Sequence, residues 1–387
     1  MYSLLNKNAN SAILLAGIFS IIIGMGVARF AFTSLLPPML ADYLSLTQVG
    51  VLASLNFAGY LAGALFSISL KNIQTKIFFF RLGLFISITS SFVLATSHNE
   101  LLWLISRTLA GFGSAMTFLV GSSIVMLKLN LENKTKAMGV YFSGIGLGIV
   151  SSELLTQGIL LKSSWESAWL WLSLVALLLS LYAYYILSFE KTPHSKEHKP
   201  KIDFSIFTPY VILLVLAYFT EGVGFVIQGT FLPNIINSLE GLEGFGNLGW
   251  LIVGVTGIPS SIFWMHLAHK YDNVNVIIAA MALQMLGVLI PTFTANIYAN
   301  LLAAALYGST FIGLVALFMN LGGQISQKNP VTLMGAMTAA YGIGQVTAPL
   351  YSVALIAHFG NYNTTLYLTA FILFIGILLL RKAKTLA

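Results

Sequence analysis

Four ionisable side chains stand inside otherwise apolar stretches of this sequence: Arg29, Arg107, Glu153 and Glu221. An ionised group in hydrocarbon costs roughly 2.5–3.5 kcal/mol even on the lenient insertion scale, so each should face a cavity or a partner. Two are cations and two are anions, so the set can be neutral as a whole. A guanidinium grips carboxylates and phosphates through two parallel N–H bonds. Arg29 and Arg107 are therefore expected to bind an anionic or zwitterionic small molecule. A carboxyl group in a desolvated site can lose and regain a proton, which makes Glu153 and Glu221 the expected proton-coupling residues.

Neutral polar and aromatic groups complete the expected substrate-binding set. Phe32 follows Arg29 within one helical turn, and Asn56 places an amide in the second apolar run. Gln228 lies seven residues after Glu221, on the same helical face. Tyr341 and Gln345 occupy Tyr341-Gly342-Ile343-Gly344-Gln345, just before Pro349. The other buried amides, Gln157, Gln284 and Asn320, fit the ordinary role of bridging helices. Depth suggests one pairing. Counted at 1.5 Å per residue, Arg107 lies roughly 9 Å and Glu153 roughly 12 Å below the outer edge of adjacent helices, so the two are expected to meet.

Several chemistries are excluded by what the chain lacks. It has no cysteine, so no disulfide, thiol nucleophile or Cys-based metal site can form. His194 and His198 fall in a polar stretch, and His266 and His269 form no helical i,i+4 pair. No nucleophile–base constellation and no phosphate-binding Gly-Lys-Ser/Thr loop occurs. Neither an enzyme, a metal centre, a cofactor nor ATP-driven transport is expected. The net charge of +7 could suit nucleic acid, but its placement argues for a membrane instead.

The elements that must carry these residues follow from the solvent. With 57% hydrophobic and 8% charged residues, the chain cannot cover a water-exposed surface. Apolar runs of the roughly 20 residues needed to cross a bilayer fall near 11–40, 48–70, 77–97, 101–127, 136–161 and 168–188. A second set falls near 207–237, 246–268, 274–294, 298–325, 332–357 and 363–381. The first run is too long for a signal-peptide core, and no small-residue cleavage site follows it. The polar stretch 189–206 reads as a cytoplasmic linker between six-helix bundles at 1–188 and 207–387. Trp103, Trp165, Trp169, Trp171 and Trp250 are expected in the aromatic belt, and Phe78-Phe79-Phe80 facing lipid.

With both termini in the cytoplasm, sixteen of the nineteen Lys and Arg residues fall on that side: Lys7, Lys71, Lys76, Arg81, Lys128, Lys134, Lys136, Lys191, Lys196, Lys199, Lys201, Lys270, Lys328, Arg381, Lys382 and Lys384. Only Lys162 falls opposite. That bias is the positive-inside rule, and an error of one helix would scramble it. The halves also repeat. At an offset of 196, Ala137-Met138-Gly139 and Gly146-Leu147-Gly148 overlie Leu333-Met334-Gly335 and Gly342-Ile343-Gly344, while Gly26, Val27, Leu36 and Pro37 overlie Gly222, Val223, Leu232 and Pro233. Near offset 197, Gly111 meets Gly308. Two parallel six-helix repeats describe an all-α membrane protein of twelve transmembrane helices in two pseudo-symmetric bundles.

The same residues resemble one branch of the major facilitator superfamily, the bacterial YbfB/YjiJ-like transporters. Gly24-Met25-Gly26-Val27-Ala28-Arg29-Phe30-Ala31-Phe32-Thr33-Ser34-Leu35-Leu36-Pro37 is similar to that family's first-helix signature. Asn56-Phe57-Ala58-Gly59-Tyr60-Leu61-Ala62-Gly63-Ala64 is similar to its second-helix motif, Arg107-Thr108-Leu109-Ala110-Gly111-Phe112-Gly113 to the wider superfamily's fourth-helix motif, and Thr230-Phe231-Leu232-Pro233 to the end of its seventh helix. One departure is clear: the loop Ser69–Lys76 has no acid where the superfamily usually carries one. The resemblance implies a secondary transporter in the cytoplasmic (inner) membrane of a bacterium, and the buried charges point to a small organic solute as its cargo. The expected working mode is alternating access by a monomer, with protons as coupling ion through the buried carboxyls. A drug or siderophore exporter of the same fold is the closest alternative, and an uncoupled facilitator or channel the next.

Overall fold

The computed structural model describes residues 9–130, 134–188, 204–326 and 330–386. Among them the secondary structure is helical, and twelve helices are long and apolar enough to cross a membrane. They are α1 (Asn10–Asp42), α2 (Leu46–Ser69), α3 (Ile73–Thr96), α4 (Glu100–Lys128), α5 (Ala137–Leu160) and α6 (Trp165–Ile186). Then come α7 (Pro209–Asn237), α8 (Gly246–Lys270), α9 (Asn273–Thr292), α10 (Ile297–Ile325), α11 (Thr332–Phe359) and α12 (Asn363–Lys384). Number and order are those expected from the apolar runs, and the ends differ by a few residues. The chain is a multi-pass helical membrane protein. Most of the expected linker 189–206, with His194 and His198, lies outside the described residues, as do Lys7 and Lys328.

Polar caps explain where several helices start. A helix leaves its first N–H groups without intrahelical partners, and a side-chain oxygen just before the first turn can satisfy one. Asn72 accepts from the Gln74 N–H at 2.8 Å, Asn99 from Leu102 at 3.0 Å, Asp272 from Asn275 at 2.9 Å and Asn296 from Ala299 at 3.1 Å. Each cap sits at the short connection between two apolar runs, so the sequence sets the turn and the first helical bond together.

The chain divides into two compact units, one of residues 1–38 with 55–198 and the other of 39–54 with 199–387. The sequence reading kept 39–54 with the first bundle. In the second unit Gly50 explains that grouping: a Cβ there would come within 2.8 Å of both Val353 methyls and 3.2 Å of the Pro349 carbonyl oxygen. Only a glycine admits so close an approach.

The internal repeat has a physical counterpart inside each unit. In the first, a Cβ on Gly26 of α1 would lie 2.7 Å from the carbonyl oxygen of Gly148 on α5. In the second, a Cβ on Gly344 of α11 would lie 2.6 Å from the Phe219 oxygen and 3.2 Å from the carbonyl carbon of Gly222 on α7. Gly222 and Gly344 are the residues 196 beyond Gly26 and Gly148. Likewise Gly111 on α4 packs against the Asn56 backbone on α2, and Gly308 on α10 against the Val253 backbone on α8. The repeat is thus a repeat of backbone crossings. Small residues are retained where two helix axes approach closely, since lipid offers no hydrophobic drive to association.

Two surface expectations are corrected. Trp103, Trp165, Trp169 and Trp250 are buried, and Trp171 alone of the five is exposed. Trp103 and Trp165 pack edge to face at 5.8 Å and donate volume to the first unit's core. A position near the outer edge of a helix places the residue in depth, but the face of the helix decides its neighbour. The same holds for Phe78-Phe79-Phe80: Phe78 is exposed, whereas Phe80 is buried, because successive residues are rotated by about 100°.

Candidate functional site

In the first unit the backbone of α1 widens into a π-helix over Ile22–Phe30, and that of α4 does so over Met116–Val120. Such segments give up regular i→i−4 bonds and are frequent at functional positions. A carbonyl released inside an apolar bundle requires another donor. Here α4 supplies two: the Ser114 hydroxyl donates to the Gly24 oxygen at 2.6 Å, and Arg107 Nη1 donates to the Ala28 oxygen at 3.0 Å. The glycines that let α1 approach its neighbours therefore also position the arginine that follows them.

Arg29 and Arg107 are both buried, at 5% and 2% exposure. The Arg29 guanidinium lies 4.6 Å from the Phe57 ring centre and 4.5 Å from that of Tyr60. The Arg107 guanidinium lies 4.3 Å from the centre of Phe32. Aromatic faces attract a cation through the ring quadrupole and leave the N–H edge of the guanidinium plane for in-plane acceptors. The two cations are near enough for the charge of Arg29 to act on Arg107. Arg107 Nε has no hydrogen-bond partner among the described residues. Glu153 is buried in the same unit, five residues beyond Gly148 on α5. The expected Arg107–Glu153 pairing is absent from the contacts of Arg107, which go instead to Ala28 and Phe32.

Asn56 donates to the Arg107 carbonyl oxygen at 3.0 Å, so it ties α2 to α4 directly behind the guanidinium. Phe32, Asn56, Arg29 and Arg107 are thus brought together in the first unit. Phe57 and Tyr60 were missed as partners of Arg29. Their signal was present, since both belong to the motif that contains Asn56, but cation–ring stacking between two helices has no spacing rule.

The second unit holds Glu221, the one buried acid among its described residues, with neither carboxyl oxygen hydrogen-bonded at normal geometry among them. Tyr218, Glu221 and Phe225 share one face of α7 at i, i+3 and i+7. The Tyr341 ring stacks on Tyr218 at 4.5 Å and 17°, and reaches Phe225 at 6.3 Å and 29°. A ring that spans those two positions covers the carboxyl between them, and Gln284 of α9 is fully buried in the same unit. Gln228 donates to the Gly287 carbonyl at 3.0 Å, a helix-bridging bond. Gln345 is buried one residue beyond Gly344, with its amide oxygen unbonded among the described residues. Gln284 is the member that sequence reasoning set aside as structural. Among the described residues no three His, Asp or Glu side chains converge to hold a metal ion.

Comparison with known proteins agrees with this architecture. A family model described as an uncharacterised MFS-type transporter, YbfB, matches residues 21–381. An uncharacterized transporter of Buchnera aphidicola subsp. Schizaphis graminum (strain Sg) is 25% identical over 242 residues, 59% of this chain. The match spans 57% of that relative's length.

Proposed function

The chain belongs to the MFS-type transporter family represented by YbfB, and from that premise we propose that its cargo is a small organic anion or zwitterion, exchanged by alternating access and coupled to protons. The observation that carries this reading is the guanidinium pair of the first unit. Arg29, Arg107 and Glu153 are the charges deep in that unit's helices. Two cations and one anion leave a surplus of one positive charge in a medium of low dielectric constant, where an uncompensated charge is costly. A carboxylate or another singly charged anion neutralises it. The Phe32 face holds the Arg107 plane, whose Nε has no hydrogen-bond partner among the described residues, so the incoming anion meets a preset donor. It does not have to order a flexible side chain.

Glu221 supplies the coupling in this reading. It is fully buried, and the groups that pack around it from its own unit among the described residues are neutral, so the charge of this carboxyl changes only by taking up or releasing a proton. Glu153 is the second candidate. The orientation proposed is that of the positive-inside rule, with both termini in the cytoplasm and the protein in the cytoplasmic membrane.

The test is a thermal-shift screen of the purified protein against carboxylates, amino acids and the corresponding neutral amides at two pH values. Free carboxylates should stabilise it, and Arg107→Ala should abolish the shift. Equal stabilisation by the neutral amides would overturn the anion reading. For a compound found this way, uptake into proteoliposomes should fall when an uncoupler collapses the proton gradient. Uptake that ignores the uncoupler would remove proton coupling.

A further inference from the structure

The carboxyl of Glu221 does not stand alone in the second unit, and its neighbours have one chemical property in common. Gln284 on α9 is fully buried, and neither its amide oxygen nor its amide nitrogen has a hydrogen-bond partner among the described residues. It lies one turn before Gly287, whose carbonyl accepts from Gln228 of α7, so this face of α9 is turned toward α7. Tyr341 on α11 is stacked between Tyr218 and Phe225, over the position of Glu221. Its backbone is locked against α7 as well, because a Cβ on Gly222 would lie 3.0 Å from the Tyr341 carbonyl carbon.

Other groups around the carboxyl come from every helix that packs on this stretch of α7. Tyr307 of α10 donates its hydroxyl to the Phe225 carbonyl at 2.8 Å. From α12, Leu373 lies against Gly224 and Gly376 against Thr220. Helix α8 meets α7 near Pro233 and Ile236, toward the other end. None of these groups carries a charge. The titratable ones are the tyrosines 218, 307 and 341.

A primary amide and a phenol are each both donor and acceptor. An amide that is buried with both ends unbonded costs free energy unless something joins it. Beside a carboxylate, Gln284 donates from Nε2 and Tyr341 from its hydroxyl. Beside a carboxylic acid, Gln284 Oε1 or the Tyr341 oxygen accepts the acidic proton. A lysine or arginine there would hold the group ionised, and an apolar wall would hold it protonated. Neutral groups of both capacities hold either form.

We propose that Glu221, Gln284 and Tyr341 form one three-helix proton-binding site, in which Gln284 and Tyr341 are positioning residues that adapt to the protonation state of Glu221. The proposal rests on the coupling role assigned to Glu221 above. Loading the site is a simple protonation: a proton from water binds one carboxyl oxygen, the carboxylate loses its charge, and the amide and phenol exchange donor for acceptor roles without bond cleavage.

The test needs no substrate. Full-length protein in lipid films is titrated in buffers of graded pH, and the infrared carboxylic-acid carbonyl band is followed. Glu221→Gln should remove one titrating component, and if it removes none, the coupling role of Glu221 itself is lost. If that component exists, Gln284→Leu and Tyr341→Phe should each move its midpoint by about one pH unit or more. Gln284→Asn should restore the wild-type midpoint in part. A Glu221 component whose midpoint is the same in both Gln284→Leu and Tyr341→Phe overturns the proposed site while leaving the coupling role intact. Should Gln284→Leu fail to fold, the midpoints of Tyr341→Phe and Gln284→Asn decide in its place. Replacing sodium in the buffer by choline should leave the titration unchanged, and a sodium-dependent midpoint would mark a metal-ion site and overturn the proposal.

Discussion

Arg107 on α4 donates from Nη1 to the main-chain carbonyl of Ala28 on α1, 3.0 Å away. The residue thereby satisfies a carbonyl inside the π-helical stretch that ends at Phe30. Its charge is held against the backbone that presents Arg29, not against an acid. An arginine in this setting has two tasks, one structural and one directed at an anion, and they separate by substitution. Arg107→Lys keeps the charge and can still reach one acceptor, but it lacks the planar fork. We expect anion binding to weaken by roughly tenfold, about 1.4 kcal/mol, with melting temperature near wild type. Arg107→Ala should lose both. Isothermal titration with a carboxylate from the thermal-shift screen measures the first, and a melting curve the second. Full affinity in Arg107→Lys would show that the fork does not matter.

Ser114 has the parallel task at Gly24, to whose oxygen its hydroxyl donates at 2.6 Å. Ser114→Ala leaves that buried carbonyl without its interhelical donor, at an expected cost of about 1–3 kcal/mol. The melting temperature should fall by several degrees, while Ser114→Thr, which keeps the hydroxyl, should retain most of the stability. An unchanged melting curve for Ser114→Ala would mean that the widened turn satisfies its own carbonyl.

The paired crossings Gly26 on Gly148 and Gly222 against Gly344 and Tyr341 predict equivalent behaviour in the two units. A methyl at either Gly26 or Gly222 meets backbone, which cannot rotate away as a side chain can. Gly26→Ala and Gly222→Ala should each destabilise by about 1–3 kcal/mol, the usual cost of overpacking. Gly158, whose Cβ would meet nothing within 4 Å, serves as the control: Gly158→Ala should be neutral or slightly stabilising. Detergent-resistant melting curves compare the three. Loss at Gly158 with tolerance at Gly26 would contradict the packing described.

These sites show what a sequence can carry and where it stops. Helix number and order were legible because bilayer thickness sets run length, and the glycine repeat was legible because close crossings leave no alternative residue. The four buried charges were legible because any charge is conspicuous in an apolar run. Their partners were not. Depth put Arg107 level with Glu153, but depth is one coordinate, and the azimuth of Arg107 turns it to Ala28 and Phe32. Gln284 was set aside as one more bridging amide because sequence does not reveal that both ends of an amide stay unbonded. The four buried tryptophans failed for the same reason, since position along a helix says nothing about which face meets lipid.

Orientation across the membrane rests on the distribution of Lys and Arg, and it gives the most direct prediction. Sixteen of nineteen such residues fall on one side if the twelve helices alternate, and Lys162 falls on the other. The natural chain contains no cysteine, so a single introduced thiol reports its own position without background. Lys162 and Lys270 are both exposed, at the start of the α5–α6 connection and at the end of α8. In intact bacterial cells a membrane-impermeant maleimide should label Lys162→Cys fully and Lys270→Cys hardly at all. After permeabilisation both should react. Helix parity ties the two positions together, so labelling of both in intact cells would break the count of helices between them. Labelling of Lys270→Cys alone would invert the protein and place the positive loops outside.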